Sequence, residues 1–93
     1  MAATITVEEQ RPGEYRVVVS ESGTRTTHAV RVDADYARTL TGGAVDTETV
    51  LRRSFEFLLE RESKESILDA FALPVIGRYF PEYEREIRRR LGS

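Results

Sequence analysis

Cysteine is absent from this 93-residue chain, and histidine and lysine occur once each. Without cysteine there is no disulfide framework, no thiolate nucleophile and no Cys-based zinc site. A single histidine leaves any zinc site nearly all carboxylate, a poor match to that metal's usual ligands. No apolar run approaches the roughly 20 residues needed to span a bilayer. The first twenty residues carry acidic groups and no apolar stretch of the export-signal kind, so the expected location is cytoplasmic.

A surplus of positive charge is lacking too. Fourteen Lys and Arg stand against sixteen Asp and Glu, a formal charge of -2, and both halves of the chain share that balance. The basic field that sequence-independent nucleic-acid binding needs is therefore missing. All the basic residues but Lys64 are arginine, a bias of codon composition that also suits interface ion pairs.

Catalytic constellations are equally scarce. His28 falls on an expected strand among Thr26, Val30 and Val32, where a lone imidazole is a packed residue rather than a partnered base. The carboxylate pairs Asp33 with Asp35 and Glu60 with Glu62 read as helix capping and surface ion pairing. Gly42-Gly43 lacks the fingerprint of a phosphate loop. The sequence points to no enzyme, no cofactor and no metal.

What is present is a change of period. Ile5 and Val7, then Tyr15, Val17 and Val19, alternate with polar residues, and Arg11-Pro12-Gly13-Glu14 between them carries Pro and Gly where a type II turn wants them. A second turn at Ser22-Gly23 leads to a third strand, with Thr26, His28, Val30 and Val32 on one face and Arg25, Thr27, Ala29 and Arg31 on the other. From Asp33 the spacing becomes helical. Asp33 or Asp35 can cap a short helix that Gly42-Gly43 ends, and Asp46 can cap a longer one, with Val45 and Val50 placed as a hydrophobic staple.

In that longer helix Val50, Leu51, Ser54, Phe55, Leu58 and Leu59 form a stripe opposite Arg52, Arg53, Glu56 and Glu60. Ser63 is expected to cap a further helix bearing Ile67, Leu68 and Phe71, limited by Pro74, and Pro74 and Pro81 to open later helical turns. The last segment runs from glutamates to arginines, matching the helix dipole. The expected fold is one α+β domain over 1–93: a three-stranded antiparallel meander at about 4–32, then three to four short helices at about 34–91.

The stretch FALPVIGRYFPEY, residues 71–83, holds four of the chain's eight aromatics and two of its three prolines. Most of it should complete the core, while apolar groups on more than one side of any helix through it leave a remainder for an interface. Phe71, Val75, Ile76, Arg78, Tyr79, Phe80 and Tyr83 are the candidate contact residues. The expected function is a small non-enzymatic protein-interaction or regulatory module whose partner is another protein or a second copy of the chain, with nucleic acid and membrane disfavoured.

Resemblances add an alternative. The order strand 25–32, helix 33–40, helix 46–62 resembles a ribbon-helix-helix unit, which implies a dimeric DNA-binding regulator with Arg25, Thr27 and Arg31 facing base edges. The element order is also similar to an antitoxin family whose members sequester a small RNA-cleaving toxin, although SESGTRTT at 20–27 lacks that family's Pro- and Gly-containing loop. The segments SFEFLLERE, 54–62, and RYFPEYE, 78–84, resemble those of small bacterial proteins of unknown activity, a likeness that implies no catalytic residue.

Overall fold

The computed structural model describes residues 3–43 and 46–92. Val45, and with it the staple, lies outside them.

The fold is α+β. Strands β1 (Thr4–Arg11), β2 (Glu14–Glu21) and β3 (Thr24–Arg31) form the antiparallel meander. Gly13 turns the first hairpin at φ 82°, and Ser22 and Gly23, at φ 55° and 81°, turn the second, a pairing of positive angles that matches the right-handed twist of the strands. Ile5, Val17, Val19, His28 and Val30 face inward, all less than a tenth exposed. Arg25, Thr27 and Arg31 stand exposed on the opposite face.

Helix α1 (Ala34–Thr41) starts where the Asp33 carboxylate accepts from the backbone N–H of Asp35 at 2.7 Å and of Tyr36 at 3.3 Å, and ends at a left-handed Gly42. Asp46 caps α2 (Thr47–Leu59) in the same way through the Thr49 N–H at 2.8 Å. Arg52 of α2 donates to the Ile5 carbonyl, so a guanidinium sits at the free side of the edge strand β1.

Helix α2 is buried on two sides. Phe55 meets His28 and Phe71 toward the sheet, with ring centroids 5.4 and 6.2 Å away, while Phe57 meets Phe80 and Tyr83 at 5.9 and 5.4 Å. At about 100° per residue the two side chains diverge by about 200°, which makes α2 the middle of the molecule rather than a lid on the sheet. The sequence stripe omitted Phe57.

Past α2 the expected helix from Ser63 does not form. Ser63 makes no side-chain cap; its hydroxyl meets that of Ser66 at 3.1 Å, and only a 3₁₀ turn, Lys64–Ser66, follows. The chain then extends into a fourth strand, β4 (Ala70–Ala72), parallel to β3 with Val30 beside Phe71. The sheet order is β1-β2-β3-β4. Ala29 N–H donates to Asp69 at 2.7 Å and Leu73 N–H to Arg31 at 2.9 Å, extending the pairing at both ends of β4. The physical reason is burial: the spacing of Ile67, Leu68 and Phe71 fits a helix, but a strand turns Phe71 inward and satisfies backbone groups that a short helix before Pro74 would leave open.

Two short helices close the fold, α3 (Val75–Tyr79) and α4 (Tyr83–Arg90). Pro74 sits immediately before α3, and Pro81 two residues ahead of α4. Among the described residues no helix is long and apolar enough to cross a membrane.

Candidate functional site

The structure divides the candidate contact residues in two. Phe71, Ile76 and Tyr83 belong to the core, with 8, 3 and 0 % of their surface exposed. Tyr83 is thereby corrected from a surface residue to a central one. The Ser54 hydroxyl donates to the Val50 carbonyl at 2.7 Å, so the Tyr83 hydroxyl, 2.7 Å from Ser54 Oγ, is the donor in that contact. Burial pushes the Tyr83 phenol well above its usual pKa range. The outward half of the set comprises exposed Arg78 and Tyr79, with Val75 and Phe80 half-buried.

Tyr79 does not stand alone. The large apolar side chains exposed among the described residues are Leu68 at 45 % and Tyr79 at 66 %, and both line one groove of about 180 Å³. Leu58, Ile67 and Phe71 floor it, Val75, Ile76 and Phe80 complete its wall, and the polar lining is Glu62 and Ser66. The failed helix explains it: residues 67–69 form no helix, and Ile67, with extended backbone angles, is buried while Leu68 turns to the rim. The sequence pattern places Leu68 with Ile67 and Phe71 on the expected helix, whereas here Ile67 and Phe71 are buried and Leu68 is exposed.

Glu62 gives the groove its charge. The residue is partly buried along the groove, and that burial raises the carboxyl pKa from its ordinary value. The two bases nearest it in sequence are committed elsewhere. Arg61 reaches Glu82 at 3.0 Å and lies 3.7 Å over the Phe57 ring, and buried Lys64 pairs with Glu65 at 2.8 Å. Among the described residues Glu62 has no ion-pair partner.

The sheet's outer face is of a different character. A depression of about 420 Å³ lies over Ala29 and Ala70, and Thr27, Arg16 and Arg31 border it while Arg25 does not. Small alanines between long side chains account for it, and Arg16 is paired with Glu8. A ribbon-helix-helix dimer pairs this strand with its copy, whereas β3 here is bonded to β2 along its length and to β4 over Ala29–Arg31.

His28 is buried at 1 % exposure, bonded through Nδ1 to the Leu68 carbonyl and through Nε2 to the Thr26 hydroxyl, each at 2.8 Å. No group of three or more His, Asp or Glu side chains among the described residues could hold a metal ion. No protein-family model, curated protein or solved structure matches this chain.

Proposed function

We propose that this protein is a small, non-enzymatic protein-interaction module that docks a side chain of its partner in the groove between Leu68 and Tyr79. One observation carries the reading: the large apolar side chains left exposed among the described residues flank the same apolar concavity. Scattered exposed hydrophobics need no explanation, but a pair converging on one depression does.

Size narrows the ligand. At about 180 Å³ the groove is smaller than the roughly 300–1,000 Å³ of sites for drug-sized molecules and cofactors. It is close to an apolar cavity of about 150 Å³ that accepts benzene, which is one side chain's worth of space. Tyrosine at the rim is also the residue type enriched at the energetic centres of interfaces. A stable dimer buries about 1,200–2,000 Å², more than this patch offers, so the occupant is a short segment of another protein.

Peptide-display selection against the wild type and against Leu68→Ala/Tyr79→Ala tests the reading. Both positions are exposed, so the variant should fold with nearly wild-type stability. The expected result is enriched peptides that share a bulky apolar residue and lose binding to the double variant. Peptides that bind both proteins equally, or no enrichment at all, would overturn it.

A further inference from the structure

We infer that the groove selects an apolar anchor with a positively charged neighbour, a Lys or Arg placed to meet Glu62. This inference rests on the docking role of the groove and specifies the partner's chemistry.

Three features of Glu62 carry it. Its carboxylate lines a concavity whose other walls, Ser66 apart, are apolar or aromatic. It is half-buried. Both basic residues closest in sequence are turned to other acids, Arg61 to Glu82 and Lys64 to Glu65. A carboxylate that lines an apolar concavity with no ion-pair partner leaves its charge open to an incoming cation, and docking of the anchor beside it would remove water that now solvates it. The same charge repels an acidic neighbour of the anchor, so the site discriminates in both directions.

The surrounding acids do not share this role. Glu60 is held by Arg90 at 2.5 Å and Glu82 by Arg61 at 3.0 Å. Glu65 is answered by Lys64. Glu62 is the acid lining the groove whose charge remains to be matched.

The test uses three capped dipeptides, N-acetyl-phenylalanyl-lysine amide and its alanine and glutamate counterparts, titrated into the isotope-labelled full chain and followed by amide chemical shifts. In the wild type the lysine peptide should bind about fivefold more tightly than the alanine peptide, and the glutamate peptide more weakly than either. In Glu62→Gln the three affinities should converge on that of the alanine peptide. Glu65→Gln should leave the lysine preference in place.

Equal binding of the lysine and alanine peptides to the wild type would overturn the inference while leaving the groove as a docking site. A lysine preference that survives Glu62→Gln would overturn it as well. If none of the peptides shifts the amides lining the groove, the docking role itself falls.

Discussion

His28 on β3 holds Leu68 in the segment entering β4: its Nδ1 lies 2.8 Å from the Leu68 carbonyl oxygen. A carbonyl can only accept, so Nδ1 carries a proton, and in the neutral ring Nε2 accepts from the Thr26 hydroxyl. The imidazole also packs against Phe55. It joins the meander, the central helix and the chain leading to the groove, which is a structural role for the residue that composition alone would flag for chemistry.

Replacing it should be expensive. His28→Ala leaves a cavity and a carbonyl without its donor, and should cost about 3 kcal/mol in urea unfolding. The amides of Ala29 and Leu73, which bond across the seam between β3 and the β4 segment, should exchange faster with solvent. A loss below about 0.5 kcal/mol, within the range of ordinary surface changes, would remove His28 from this role. Nitrogen shifts of the ring should report the Nδ1–H tautomer.

The Tyr83–Ser54–Val50 relay makes an asymmetric prediction. Tyr83→Phe deletes a donor while Ser54 keeps its bond to Val50, for a loss of about 1 kcal/mol. Ser54→Ala leaves the buried phenol unsatisfied and should cost more, about 1–3 kcal/mol. The double variant should be less destabilised than the sum of the two, as measured by a double-mutant cycle.

Acid should weaken the protein modestly through the exposed ion pairs of its helices. Hydrogen bonds from Arg90 to Glu60 and from Arg89 to Glu86 hold these carboxyls below their ordinary value of 4.5. A lowered folded pKa contributes stability above the unfolded value and loses it as pH falls through the folded one, so stability should decline below about pH 4.5, and less so in high salt.

Glu62 runs the other way. Its folded pKa is raised, so its ionised form opposes folding, and stability from this group grows as pH falls from the raised value toward 4.5. Glu62→Gln should therefore be at least as stable as wild type at pH 7 and should flatten that part of the pH profile. A clear loss of stability at pH 7 would mean that the carboxylate has a favourable partner.

Light scattering should give a monomer over a wide concentration range in both low and high salt. A dimer insensitive to salt would place a second copy in the groove, in contradiction to the short-segment occupant.

Much of the fold was legible because local chemistry and burial agreed. Pro12-Gly13 and Ser22-Gly23 marked the turns, and Asp33 and Asp46 cap the helices whose starts they signalled. β4 was hidden because Ala70–Ala72 is too short to show a period of two, and Ile67, Leu68 and Phe71 imitate a helical face. Tyr83 was misplaced because its polar atom is satisfied by Ser54, 29 residues away, a partner that no local pattern reveals. Phe57 escaped the stripe for a related reason: it faces α4, a surface that exists only once the chain has folded back. Half of the groove was legible from the 71–83 stretch. Leu68 and Glu62, its other rim, come together only through the 3₁₀ turn and irregular chain that replaced the expected helix.

The most direct measurement is a map of amide shifts as N-acetyl-phenylalanine amide, a neutral single-side-chain probe, is added to the labelled full chain. The expected shifts cluster at residues 58–62, 66–68 and 75–80 and vanish in Leu68→Ala/Tyr79→Ala. Shifts confined to the outer face around Ala29 and Arg31, or none at saturating probe, would contradict the groove as the binding surface.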